Sequence, residues 1–307
     1  MTLPDCGPDL GPLHAYPTAD GSFSLQSERF GEAFHNSAGA RNEAIAKFAV
    51  PAQLERFRNG TPLRVLDVCV GLGYNSAAVL EALPSPAPEL MWWGLELDRR
   101  PLELALAQPE FRSSWSPSVL QILEQMRDHG VWHHNRSSGE LLWGDARRML
   151  QEIPGDQRFD LILQDAFSPQ RCPELWTEEF LADLAGRLAA GGRLLTYSRS
   201  AAVRASLRRN GLTLLSLLPA PGERPGWSSG TMAVRPGPPI PVAGPGWRAL
   251  LAMEEEHLHT RAAVPFRDPS SADDSAVILR RRSLEQASCN LEATNAWQRR
   301  WRQDATS

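Results

Sequence analysis

RVLDVCVGLGYNS, residues 64–76, opens on a short apolar run, 64–70, that stops at Gly71-Leu72-Gly73. An apolar run of that length bounded by glycine reads as a buried strand. Tyr74, Ala77, Leu80 and Leu83 follow at helical spacing, so the glycines make a strand-to-helix turn. Glycine at such a turn lets the backbone approach a ligand closely. A full dinucleotide fingerprint would need glycine at position 76, and Ser76 stands there.

Working downstream, strands are expected at 91–96, 141–143, 159–163 and 193–197. Helices fall between them at 101–107, to Ile153 after Asp145, and over 173–188, the last stopped by Gly191-Gly192. A helix over 200–209 precedes strands 212–218 and 231–234, which are joined by PAPGERPGWSSG. Alternation of strand and helix implies a mostly parallel sheet covered on both faces. The final pair has no helix between its members, so it is antiparallel. Residues 109–138, less regular and with a helix starting at Ser116-Pro117, read as an insertion. The reading is an α/β Rossmann-like core over 61–236, a mostly parallel seven-stranded sheet with an antiparallel last strand. An extension over 1–60 carries a loose tail to about Pro17, a small hairpin within 18–34 and a helix capped by Asn42. Residues 237–307 read as a proline-rich linker, RPGPPIPVAGPGW, and a polar, arginine-rich tail.

Composition narrows the function classes. No apolar run approaches the roughly 20 residues of a membrane-spanning helix. The opening MTLPDCGPDLGPLHAYP lacks the basic start and apolar core of a signal peptide. The four cysteines, Cys6, Cys69, Cys172 and Cys289, form no metal spacing, and reduced thiols in the cytoplasm are expected. His257-x-His259 has no accompanying ligand cluster and reads as a surface pair rather than a metal site. A net charge of −4 neither advertises nor excludes a nucleic-acid partner, since a local basic face can act within an acidic whole. The basic clusters are Arg199, Arg204, Arg208 and Arg209 on one helix, with Arg280-Arg281-Arg282 and Arg299-Arg300-Trp301-Arg302 in the tail.

In a doubly wound sheet, ligands sit at the carboxyl ends of the strands. Gly71 and Gly73 are delivered there, with Asp67 just upstream in the strand. Glu96 ends the second strand, where a carboxylate suits the two hydroxyls of a ribose. Asp145 ends the third, within reach of an adenine amino group, although a lone acid after a strand is more often a helix cap. Asp165 ends the fourth, beside the reacting centre.

At Asp165 the sequence resembles a known family. DAFSPQRCPELW, residues 165–176, is similar to the DAF-x-P…PELW signature of the MnmC methyltransferase domain, and the segment from Gly192 to Arg204 resembles the GG-x-L-x-TYS…VR stretch that follows it. VLDVCVGLGYNS resembles the family's glycine motif, with Cys69 in place of the usual glycine. The resemblance runs from about Asp20 to Val234. It implies an S-adenosyl-L-methionine-dependent methyltransferase that acts on 5-aminomethyl uridine at the wobble position of tRNA. It further implies Asp165 as the catalytic acid residue, and Phe167, Ser168 and Pro169 as the wall around the substrate. Asp67, Gly71, Gly73, Asn75, Glu96, Asp145 and Glu43 are then the cofactor contacts. The family's two-domain form carries an FAD-dependent oxidoreductase, and no second glycine-rich strand–turn–helix is seen here. A standalone methyltransferase is therefore expected, with the tRNA anticodon loop as partner and a separate enzyme supplying the aminomethyl group. Two other readings compete. A polyamine aminopropyltransferase or other small-amine enzyme would want a second acid soon after Asp165, where Ser168, Pro169 and Gln170 stand. An inactive RNA-binding module would not need Glu96, Asp145 and Asp165 together.

Overall fold

The computed structural model describes residues 10–223 and 226–304. The N-terminal segment is a three-stranded antiparallel sheet of β1 (Leu13–Pro17), β2 (Phe23–Ser27) and β3 (Glu32–Ala33). Residues 13–17 thus pair with β2 instead of trailing as a tail. Asp20 fixes the turn between them, accepting from the Ser22 backbone N–H and the Thr18 hydroxyl, each at 2.9 Å. α1 (Ala40–Ala44) runs through a π turn into α2 (Val50–Ala52). It starts ahead of the expected cap Asn42, whose own N–H donates to Asp20 at 3.3 Å.

The main sheet contains β4 (Leu63–Val68), β5 (Leu90–Glu96), β6 (Val131–His134), β7 (Ser137–Trp143), β8 (Phe159–Gln164), β9 (Leu188–Thr196), β10 (Thr213–Leu217), β11 (Thr231–Val234) and β12 (Trp247–Ala249). Their order is β12-β10-β11-β9-β8-β4-β5-β7-β6. β4, β5, β7, β8 and β9 are parallel, while β11 runs against both β9 and β10. The seven expected strands form the centre, and β6 and β12 each add an edge. β6 comes from the stretch read as an insertion, where Gly130 at φ +71° ends a helix and turns the chain back along β7. β12 comes from the stretch read as a linker. Trp247 is buried against Gly244, where any Cβ would collide with the indole.

The helices are α3 (Tyr74–Glu81), α4 (Arg100–Leu106), α5 (Pro109–Arg112), α6 (Pro117–His129), α7 (Ala146–Glu152), α8 (Glu178–Gly186), α9 (Ala201–Arg209), α10 (Ala252–His257), α11 (Ser275–Ser288) and α12 (Thr294–Asp304). Successive residues of β4 feed opposite faces, as the two-residue period of a strand requires. Val65 joins one core with Phe48, Tyr74 and Leu163, and Leu66 joins the other with Ile162, Trp176 and Leu194. Burial on both faces explains why the strands read as continuous apolar runs.

Two expectations are corrected. α8 ends at Gly186, before the expected stop, and Gly191 at φ +71° instead bends the chain within β9. The C-terminal segment is packed structure: Ile278 and Trp297 are buried, and Arg282 donates to the carbonyls of Val264 and Ala262 at 2.8 and 3.0 Å. Among the described residues, no helix is long and apolar enough to cross a membrane.

Candidate active site

A cavity of about 350 Å3 opens at the carboxyl ends of β4, β5 and β8. Its floor is Cys69, Gly71, Glu96, Asp98 and Asp165, and its cover comes from Phe30, Phe34, His35 and Glu43 of the N-terminal segment. A parallel sheet makes this edge because every strand end there feeds a loop rather than a hairpin.

The β4–α3 turn is built around Glu96. Its carboxylate accepts from the backbone N–H of Gly71 at 2.7 Å, Leu97 at 2.6 Å and Asp98 at 2.8 Å. A carboxylate has about four acceptor positions, so one remains to face the cavity. Burial raises its pKa, opposed by those three N–H groups. Gly71 takes φ +55°, and a Cβ there would press on the Phe34 ring at 3.4 Å. Cys69 also takes a positive φ, +68°, with a side chain in its place.

Asp165 follows β8, and its N–H donates to the Val68 carbonyl. Its carboxylate accepts from the Asn75 side-chain amide at 2.6 Å, which ties the α3 start to the β8 end. Burial pushes its pKa up to about 7, and the Glu43 charge adds to that. Glu43 behaves differently. Burial opposes its charge, yet the Lys47 ammonium at 2.8 Å and the Asn36 N–H at 3.1 Å hold its pKa below the usual value. Lys47, the single lysine of the chain, is itself buried and also meets Glu223 at 3.2 Å. The cavity therefore holds one carboxylate locked in its charged form and one poised near neutrality.

The DAFSP loop is clamped at successive points. The Tyr197 hydroxyl donates to the Ala166 carbonyl at 2.9 Å, and the Trp176 indole N–H to the Phe167 carbonyl at 2.7 Å. Ser168 donates to Glu32 through its N–H at 2.9 Å and its hydroxyl at 2.5 Å. The Phe167 ring stacks on Phe30 at 4.4 Å and meets Phe34 edge-on at 4.9 Å. These contacts give PELW and Glu32 a job that no strand-end argument supplies.

Of the residues singled out from the sequence, Gly71, Glu96, Glu43, Asp165, Phe167 and Ser168 line the cavity. Asn75 reaches it through Asp165. Asp67 lies beneath, fully buried, and accepts from the Ser76 hydroxyl at 2.6 Å. Gly73 faces Leu102 and Leu123. Pro169 is not among the lining residues. Asp145 is not either: it caps α7 through the Arg147 N–H and pairs with the Arg147 guanidinium at 2.7 Å. Sequence reasoning missed Phe30, Phe34, His35 and Tyr197, which are ordinary apolar or aromatic positions until the chain is folded.

The arginines read as a basic face are mostly committed elsewhere. Arg204 is buried, donating to Glu254 at 2.9 Å, to the Thr231 hydroxyl and to the Gly230 carbonyl. Arg208 pairs with Glu255 and Arg209 with Glu178. Arg281 pairs with Asp273, and Arg300 with Glu256 and Glu292. The Arg302 side chain lies outside the described part. His257 stacks on Trp297 at 4.3 Å and is a packed ring rather than a surface one.

A parallel sheet closed by an antiparallel hairpin, with a glycine turn and a carboxylate on the neighbouring strand end, defines an S-adenosyl-L-methionine-dependent methyltransferase. Residues 109–231 match the family model described as S-adenosyl-L-methionine-dependent methyltransferase. Three comparisons find the chain similar to two MnmC proteins and to one uncharacterised protein. It is 28% identical to MnmC2 from Aquifex aeolicus, whose crystal structure superimposes with a TM-score of 0.75 over 92% of this chain and 88% of that one. It is 31% identical over 60% of its length to the Azoarcus tRNA 5-methylaminomethyl-2-thiouridine biosynthesis bifunctional protein MnmC, covering 30% of that protein. An uncharacterised protein of Methanocaldococcus jannaschii is 31% identical over 62% of this chain and 51% of its own. The chain thus spans about half, or less, of the curated relatives it matches.

Proposed function

We propose that the chain transfers a methyl group to the amine of a 5-aminomethyl uridine at the tRNA wobble position, giving 5-methylaminomethyl uridine, in the cytoplasm. One observation carries the reading: a buried carboxylate with a pKa near 7, Asp165, stands in a mixed apolar and acidic cavity beside the glycine turn. The MnmC relatives, tRNA 5-methylaminomethyl-2-thiouridine biosynthesis proteins, supply the substrate class.

The cavity fits the cofactor. Glu96 keeps an acceptor position toward it, and Gly71 carries no side chain to fill it. Bound there, S-adenosyl-L-methionine supplies an electrophilic sulfonium methyl. Glu96 would accept from the ribose hydroxyls, and the Gly71 backbone would border the cofactor chain.

The protein's own work is on the acceptor. An alkyl ammonium has no lone pair, so its proton must leave before nitrogen can attack. Asp165, ionised above about pH 7, can take an N–H hydrogen bond and then the proton. Asn75 holds its other oxygen and so fixes the carboxylate's direction. Glu43, kept charged by Lys47, favours a cationic amine entering the site. Phe30, Phe34 and Phe167 exclude water and offer faces on which a base can stack. Orientation supplies most of the rate, and the proton acceptor contributes roughly 10²–10⁴-fold.

Nucleoside mass spectrometry of tRNA from a deletion strain tests the reading. The expected result is accumulation of 5-aminomethyl uridines and loss of the methylated form. An unchanged nucleoside profile would overturn it.

A further inference from the structure

With Arg204, Arg208, Arg209, Arg281 and Arg300 engaged in ion pairs, other cations are left to meet a polyanion. Two of them flank the cavity mouth. Arg29 is exposed and directly precedes Phe30, a cavity-lining ring, with its guanidinium 5.4 Å from that ring's centre. Arg171 is exposed and directly precedes Cys172, another lining residue. Its guanidinium carbon lies 3.7 Å from where a Cβ on Gly31 would be, so it rests over the turn between β2 and β3. The two cations therefore converge on one turn, from the hairpin and from the loop that follows DAFSP. Neither forms an ion pair with a carboxylate among the described residues, whereas neighbouring acids are occupied: Glu28 faces His14, and Glu32 holds Ser168.

We propose that Arg29 and Arg171 form a phosphate-binding rim that grips the RNA backbone on either side of the nucleotide entering the cavity. This rests on the tRNA reading above. Three physical points support it. An exposed guanidinium with no internal carboxylate is free to replace a counterion on a phosphate, whereas a paired one would first have to break its pair. Cations beside aromatic faces are the arrangement that holds single-stranded nucleic acid, phosphates on the charge and bases on the rings. Phe30, beside Arg29 and next in sequence to the Gly31 that Arg171 covers, stacks on Phe167 of the cavity wall. Arg148, Arg280 and Arg299 also lack a carboxylate partner among the described residues, but α7, α11 and α12 contribute no lining residue; Arg99 and Arg199 lack one too, but their guanidiniums lie against Trp143 and Trp227, which do not line the cavity.

The test is the salt dependence of tRNA binding by the full chain, using tRNA that carries 5-aminomethyl uridine. R29Q/R171Q removes both charges and keeps the side-chain bulk. It is expected to weaken binding about tenfold or more and to lower the log–log salt slope by about 1.4, two contacts at roughly 0.7 each for single-stranded RNA. Each single variant should lose about half of that slope. Cofactor affinity and thermal midpoint should stay at wild-type values, and R29K/R171K should restore the slope because charge is what acts. R280Q, on the outer face of α11, should behave as wild type. Unchanged affinity and slope in R29Q/R171Q would overturn the rim, as would a loss in R280Q of the size expected for the rim. Failure of the wild-type chain to bind this tRNA would sink the tRNA reading itself and the rim with it, and it is distinguished by appearing before any substitution is made.

Discussion

Cys69 occupies a turn position at φ +68°, a conformation that costs a side-chain-bearing residue about 1–2 kcal/mol. Glycine would remove that cost and lose about 0.5–1 kcal/mol through its freer unfolded chain. Cys69→Gly should therefore leave stability unchanged or raise it by up to about 1.5 kcal/mol, read as a denaturant midpoint at constant slope. A fall of more than about 1 kcal/mol would mean that sulfur packing outweighs backbone strain. Glu96 is the second decisive residue. Three backbone donors bind its carboxylate, so Glu96→Ala removes the turn's support and, on the proposed reading, a ribose partner. Loss of a charged hydrogen bond is worth about 1.5–3 kcal/mol, so cofactor binding should weaken about tenfold or more in calorimetric titration. An unchanged dissociation constant in the folded variant would remove Glu96 from the site. Glu96 and Asp165 were legible as candidates because each ends an apolar run at the carboxyl edge of the sheet, and both line the cavity. Asp145 shows the limit of that argument. It too ends a strand, but Arg147, two positions on, turns it into a cap and an ion-pair partner.

Among the elements, local patterns transferred well and partnerships did not. The β4–turn–α3 unit and the helixless pair β10 and β11 were readable because each is set by near neighbours in the chain. α9 was readable as a helix, but not what its arginines touch. Arg204 looks toward Glu254 of α10, far away in sequence, across Thr231 of β11. Both members of that ion pair are buried; Arg248 also pairs with Glu254, but losing the Arg204 guanidinium strands its partners Ser228, Gly230 and Thr231, at about 1.5–3 kcal/mol for each charged hydrogen bond lost. Arg204→Ala should therefore destabilise the fold by several kcal/mol in chemical unfolding, with no specific change in the salt slope of tRNA binding. A stable Arg204→Ala protein with a flattened slope would return Arg204 to the RNA-facing side. The N-terminal hairpin was likewise visible as a hairpin, while its role as cover depends on Glu32 reaching Ser168 and Phe30 reaching Phe167. No spacing rule encodes contacts between segments so far apart.

At the scale of the molecule, the parallel sheet presents the glycine turn and Asp165 at one edge, and the N-terminal segment closes over them. On the proposed function, the sheet sets the cofactor side, and the hairpin and DAFSP loop set the acceptor side. The central claim is that Asp165 takes the proton from a tRNA-borne amine during methyl transfer. The most direct measurement is single-turnover methylation of tRNA carrying 5-aminomethyl uridine by the purified chain, with wild type and Asp165→Asn compared across pH. A carboxylate acts as acceptor only when ionised, so with a pKa near 7 the wild-type rate should rise with pH through about 7 and then level. Asp165→Asn should lose turnover by about a hundredfold or more, as expected for a positioned proton acceptor, and keep cofactor affinity within a few-fold. A wild-type chain that binds cofactor and this tRNA without transferring the methyl group, or an Asp165→Asn variant with near-normal rate and the same pH profile, would contradict the account.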